Sequence, residues 1–288
     1  MEWKPGGVSE DVEDRRESSG GGGFRGMGLG APHLGIGGVL LLLVLSLVFH
    51  RNLFTLLSGG SASDEPAATS APVSRGAEGT AVQFVSFVLD DVQKTWDKLL
   101  PAQAGKSYRH AKLVLFRDSI DSACGAAGSA TGPFYCPGDE RVYLDLGFFE
   151  ELQGRLGAPG EFAQAYVIGH EIGHHVQKLL GIEAKVQRVR ASDPAQANPL
   201  SVRLELQADC FAGVWAKSTE QRKIIDNKDV EEGMRAVAAV GDDRLQKMAT
   251  GHVSPEDFTH GTSRQRMQWF QNGLQSGQVS GCDTFGAR

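Results

Sequence analysis

The chain has 288 residues, of which 41% are hydrophobic and 22% charged, with a formal net charge of −6. That length holds one sizeable domain plus extra segments. The acidic balance, with no lysine/arginine run and no interleaving of basic and aromatic residues, excludes a nucleic-acid partner.

Residues 1–33 include "DVEDRRESSGGGGFRGMGLG", a charged stretch followed by a glycine-rich one. With so little to bury, such a tail does not recover its ordering entropy and is expected to be disordered. "LGIGGVLLLLVLSLVF", Leu34 to Phe49, carries no charge and continues through Arg51 into "LFTLL". It approaches the about 20 apolar residues of a membrane span, so 34–57 reads as one transmembrane helix. Arg15, Arg16 and Arg25 precede it, against Arg51 and Arg75 after it. The bias favours a cytoplasmic N-terminus and an extracytoplasmic C-terminal domain. Residues 58–80, rich in Ser, Ala, Gly and Pro, read as a flexible tether, which leaves 81–288 as the folded domain.

Within that domain, Val85, Val88, Val92, Trp96 and Leu99 recur at helical spacing. "AKLVLF" and "RVYLDL" are strand-like, and the turn-rich segment between them ends in "PGDE", which suits a hairpin-like return. From residue 147 the pattern turns helical. "GFFEELQGRL" is short, and "EFAQAYVIGHEIGHHVQKLLG" is longer and closed by Gly181. "NPLSVRLELQADCFAGVWAKS" has Asn198 as its expected N-cap and Pro199 in the first turn. "DVEEGMRAVAAV" and "TSRQRMQWFQNGL" supply two more helices. A small sheet followed by several helices defines a helix-dominated α+β class.

The four cysteines, Cys124, Cys136, Cys210 and Cys282, form no C-x-x-C pair. An even number in an exported domain suggests two disulfides. Cys124 with Cys136 would close a short loop, and Cys210 with Cys282 would pin the C-terminus to a helix. This is one of three possible pairings.

The chemistry concentrates in "HEIGHH". His170 and His174 stand four apart, on one helical face, where two imidazoles can reach one zinc ion at about 2.0–2.1 Å. Glu171 beside them can act as general base on the attacking water. A catalytic zinc takes a third protein ligand, and "RLELQADCFAGVWA" offers Glu205 and Asp209, again four apart. Their setting is otherwise apolar, and buried carboxylates require a cation or donors. Glu205 is the expected ligand, with Asp209 receiving the outer N–H of a ligand histidine; the reverse assignment stays open. His175 lies about 100° round the helix and reads as a packed or surface residue. His260 either donates to a developing oxyanion or caps the last helix, and Arg266 either pairs with an inner acidic group or sits at the surface. Asp242 and Asp243 read as a helix boundary.

Together "VEDRRESSGGG", "GPFYCPGDERVYLDLGFF", "HEIGHHVQ", "RLELQADCFAGVWA", "FTHGTSRQR" and the terminal "CDTF" resemble the bacterial, singly anchored neutral zinc metallopeptidase family. The order H-E-x-x-H, E-x-x-x-D and a late His…Arg more distantly resembles the membrane-associated prenyl-protein and heat-shock zinc proteases. The resemblance implies a zincin-like domain with one zinc held by His170, His174 and Glu205, and with Glu171 as base. It further implies that His260 and Arg266 assist and that an extended polypeptide is the substrate, paired along the strand "RVYLDL". Two competing functions share these residues: a zinc-stabilised binding or scaffold protein without catalysis, and a zinc amidase acting on cell-wall peptides.

Overall fold

The computed structural model describes residues 1–17 and 75–286. It contains a strand β1 (Val12–Asp14), a long helix α1 (Arg75–Ala104), strands β2 (Lys112–Phe116), β3 (Ser119–Ser122), β4 (Gly125–Gly128), β5 (Phe134–Cys136) and β6 (Arg141–Asp145), and helix α2 (Gly147–Gly154). Six further helices follow: α3 (Glu161–Leu180), α4 (Ile182–Ser192), α5 (Ala197–Gln221), α6 (Asn227–Ala239), α7 (Asp242–Thr250) and α8 (Ser263–Ser276). This is a helix-dominated α+β architecture. Among the described residues no helix is long and apolar enough to cross a membrane, and the span expected at 34–57 lies outside them. So does the tether up to residue 74; helix α1 already begins at Arg75, inside the segment 58–80 expected to be flexible.

Disorder was the expectation for residues 1–33, and over 1–17 the structure corrects it. β1 pairs in parallel with β2, placing Val12 opposite Leu113 and Asp14 opposite Leu115. Trp3 packs edge-on against Phe84 of α1, with ring centroids 5.2 Å apart. The charges of "DVEDRR" are those of an edge strand, whose exposed side chains pair outward while its backbone completes a ladder.

The main sheet runs β1-β2-β6-β5, with β2 parallel to β6 and β5 antiparallel to it. β6 is therefore an interior strand with both backbone edges paired, and the role of pairing with substrate expected for "RVYLDL" cannot fall to it. The open edge next to α3 is β5. The turn-rich segment before it also holds an unforeseen hairpin, β3–β4. One face of the sheet and α1 enclose a core in which Val85, Val88, Val92, Trp96, Leu113 and Leu115 are fully buried. Disulfides join Cys124 to Cys136 and Cys210 to Cys282.

α3 is buried nearly all round, as a central helix must be. It ends at Gly181, whose φ of 73° is a left-handed conformation that glycine adopts without strain. α5 begins two residues earlier than expected, with Gln196 at the N-cap position, so Asn198 lies inside the helix and its amide reaches the Glu256 carbonyl instead. α5 packs against both α3 and α8. Two glycine contacts bring these helices close. A Cβ on Gly173 would lie 2.9 Å from the Ala208 carbonyl oxygen, and one on Gly273 would lie 1.9 Å from that of Cys210. Backbones this close place short side chains of neighbouring helices within reach of one another.

Candidate metal centre

The close contact of Gly173 with Ala208 brings the histidines of α3 beside the carboxylates of α5. His170 Nε2 lies 3.1 Å from Glu205 Oε2, and His174 Nε2 lies 3.4 Å from Glu205 Oε1. One ligand atom from each of His170, His174 and Glu205 falls within 4.8 Å of the others.

The outer ring nitrogens decide what the inner ones can do. His170 Nδ1 stands 2.9 Å from Asp209 Oδ1, and His174 Nδ1 stands 2.9 Å from Gln177 Oε1. The Gln177 amide is itself oriented, because its nitrogen donates to the Leu204 carbonyl at 2.7 Å. A carboxylate and an amide oxygen only accept, so each Nδ1 carries the hydrogen, and a ring that is neutral turns an Nε2 lone pair toward Glu205. With both rings neutral, two lone pairs and a carboxylate converging on one point repel, and either a proton on a ring or a metal ion between them relieves it. Burial disfavours a charged His170, yet the Asp209 and Glu205 carboxylates reverse that effect and push its pKa up to about 10. Glu205 is held well below the ordinary carboxylate range; burial opposes this, and the charges of His174 and His260 override it. The pocket thus demands positive charge, and a donor set of two histidines and one carboxylate fits zinc.

Asp209 is fully buried. It accepts hydrogen bonds from Tyr166 Oη at 2.5 Å and from Arg266 Nε at 2.8 Å and Nη2 at 3.0 Å. Arg266, itself buried, also donates to the Val240 carbonyl at 3.1 Å and stands 3.8 Å from Glu205. Burial raises the Asp209 pKa, but the positive charges of Arg266 and His170 lower it overall. Both Asp209 oxygens are engaged on the Nδ1 side of His170, away from the convergence point. Of the two assignments left open by the sequence, Glu205 is the residue in the cluster.

Glu171 is buried beside the two histidines, and no hydrogen bond to its carboxylate occurs among the described residues. His260 sits on the rim with its side chain half-exposed, and Nδ1 lies 3.2 Å from Asp242 Oδ1. The other Asp242 oxygen accepts the backbone N–H groups of Thr259, His260 and Gly261 at 2.8, 2.6 and 2.9 Å. Against the cost of desolvation, the charges of Glu205 and Asp242 raise the His260 pKa. Capping of α8 falls to Thr262, which pairs with Gln265 in a capping box, so His260 is not spent there. His175 points elsewhere. Its Nε2 donates to the Arg109 carbonyl at 2.6 Å, its Nδ1 accepts from Tyr135 Oη at 2.9 Å, and burial lowers its pKa.

Sequence reasoning missed three residues here. Tyr166 precedes His170 by four and Gln177 follows His174 by three, spacings that put both on the ligand face. Asp242 does open α7, as expected, but it also clamps the loop that carries His260.

Two histidines of an H-E-x-x-H helix and a glutamate from the neighbouring helix form a donor set that could hold a metal ion such as zinc. A family model described as "Putative neutral zinc metallopeptidase" matches residues 1–285, and the chain belongs to that family. "Uncharacterized protein YpfJ" of Escherichia coli (strain K12) is 45% identical over 289 residues, covering 99% of each chain. "Uncharacterized protein Mb2605" of Mycobacterium bovis is 42% identical over 209 residues, covering 69% of this chain and 68% of that relative. No solved structure matches.

Proposed function

We propose that the protein is a zinc-dependent endopeptidase in which His170, His174 and Glu205 hold a single ion and Glu171 is the general base. The observation that carries this reading is the convergence of two imidazole lone pairs and a carboxylate beside a buried, unpartnered glutamate. Zinc bound there supplies Lewis acidity toward an attacking water and the scissile carbonyl.

The chain's own residues do the rest. Glu171 takes the proton from the attacking water and passes it to the leaving amine nitrogen. His260, braced by Asp242, donates through its free ring nitrogen to the oxyanion that develops on the carbonyl oxygen. Arg266 and Tyr166 hold Asp209, and Asp209 holds the His170 ring in the tautomer that leaves Nε2 bare. An extended polypeptide adds to the open edge of β5, whose Tyr135 is fixed against α3 through His175. Its two disulfides support a location outside the cytoplasm, where such bonds persist.

The test is hydrolysis of an unfolded protein by the purified full-length chain loaded with equimolar zinc, alongside Glu171→Gln and Glu205→Ala. Wild type is expected to cleave, Glu171→Gln to keep zinc and lose cleavage, and Glu205→Ala to lose zinc. Equal cleavage by Glu171→Gln removes that residue as base. Unimpaired zinc affinity in Glu205→Ala removes it as ligand. If zinc stays bound and only cell-wall peptides are cut, the substrate class moves to that of an amidase.

A further inference from the structure

The N-terminal segment and the domain are one folded body on either side of an apolar run, and that fixes how the chain can meet a membrane. β1 joins the sheet through Leu113 N–H to the Asp11 carbonyl at 2.8 Å and Arg15 N–H to the Leu115 carbonyl at 2.8 Å. Side chains follow the same seam. Asp11 meets Lys112 Nζ at 2.8 Å, Gln93 Nε2 at 2.8 Å and His110 Nδ1 at 2.7 Å, while Glu13 meets Arg141 at 3.2 Å. Ser9 donates to Asp90 of α1 at 2.5 Å.

The two points where the described chain stops and resumes lie together. Arg16 Nη1 is 3.2 Å from Glu78 Oε2, and Arg117 donates to the other oxygen of the same Glu78. The uncharged run Leu34 to Phe49 falls between them in sequence. A single crossing between residues 17 and 75 would put Arg16 and Glu78 on opposite faces of a hydrocarbon layer of about 30 Å. It would also strip β2 of one of its two partners, β1, and leave a hydrogen-bonding edge open beside the buried Leu113 and Leu115. Contact at 3.2 Å and separation by a bilayer exclude each other.

We infer that residues 9–16 and the domain from Arg75 onward occupy the same side of any lipid bilayer the chain enters. The chain is therefore attached, where it is attached, from one face. This replaces the arrangement in which an N-terminal tail in the cytoplasm is joined by one span to a domain outside. Since the disulfides belong to an oxidising compartment, β1 belongs there too. The inference rests on strand pairing and stands whether or not the site is a peptidase.

Two measurements on the full-length chain in native membrane vesicles test it. The first attaches a membrane-impermeant maleimide to Val8→Cys and, separately, to Met248→Cys, both at exposed positions. Both are expected to label in the same vesicle orientation and to be protected in the other. Labelling from opposite sides overturns the inference. The second needs no substitution. A zero-length carbodiimide cross-link between Lys112 and Asp11 is expected within one chain, as judged from mixed heavy- and light-isotope chains. The Lys217–Glu220 pair, at 2.7 Å within α5, is the internal control. Its cross-link forming while Lys112–Asp11 does not would overturn the inference as well.

Discussion

The centre formed by α3, α5 and α8 and the seam along β1 are both held by ionic hydrogen bonds, yet they differ in kind. At the centre, Asp209 and Arg266 are 0% and 3% exposed and every Asp209 oxygen is engaged. Along the seam, His110, Lys112 and Glu13 are 38%, 44% and 29% exposed at the side chain, and water stands ready to replace each partner. A buried pair is costly to break because the survivor is stranded; an exposed pair contributes little because its charges are solvated either way. The first arrangement fixes a tautomer and a ligand position. The second holds a strand in register whose attachment rests mainly on backbone bonds.

The largest expected effect comes from stranding a charge at the centre. Asp209→Ala strips the buried Arg266 guanidinium of the carboxylate it hydrogen-bonds, leaving only Glu205 at 3.8 Å, and is expected to cost about 3–5 kcal/mol of folding stability and weaken zinc binding. Glu13→Ala on the seam is expected to cost about 0.2–1 kcal/mol. Urea unfolding of the two variants beside wild type measures both. Comparable losses would mean that burial does not separate the two regions. Next in size is Gly173→Val. Side-chain carbons at a point already 2.9 Å from the Ala208 carbonyl force α3 and α5 apart, at about 1–3 kcal/mol. That shift should lower zinc affinity more than stability, because it moves His170 and His174 away from Glu205. A variant that unfolds earlier in urea yet binds zinc as wild type does would show that helix spacing does not set the ligand geometry.

The two regions were also unequally legible in the sequence. The ligand set could be read because helical spacing alone puts His170 with His174, and Glu205 with Asp209, on common faces. The carboxylates stood out because they interrupt an apolar stretch. Tyr166 and Gln177 obey the same spacing, but a tyrosine and a glutamine on a helix are ordinary, and only the tertiary contact gives them a role. β1 was illegible for a different reason. Three residues carry no periodicity, and the charges in and after them match a solvated tail until Arg141 appears opposite Glu13 and Glu78 opposite Arg16. The β3–β4 hairpin hid because "CGAAGS" is poor in the β-branched and aromatic residues that mark strands. β6 is flanked by β2 and by β5, so missing the short strand β5 inside the turn-rich segment left β6 looking like an open edge.

The smallest effect tests the seam itself. His110 lies between Asp11 at 2.7 Å and Asp97 at 3.0 Å, with Tyr108 against its ring. Burial would lower its pKa, but the two carboxylates raise it overall, while Asp11, despite burial, is lowered by Lys112 and His110. A raised histidine stabilises fully below its unfolded pKa of about 6.5, and that contribution is lost as pH climbs through the folded value. A lowered aspartate stabilises fully above about 3.9, and its contribution is lost as pH falls through the folded value. Both are therefore at full strength between about pH 4 and 6.5. His110→Gln should then lower the melting temperature most near about pH 5.5 and least near about pH 9. Its cost stays under about 1 kcal/mol, since the ring is over a third exposed and Lys112 and Gln93 keep Asp11 partnered after His110 discharges. A deficit that is the same at both pH values would show that His110 holds the seam by packing against Tyr108 and not by charge.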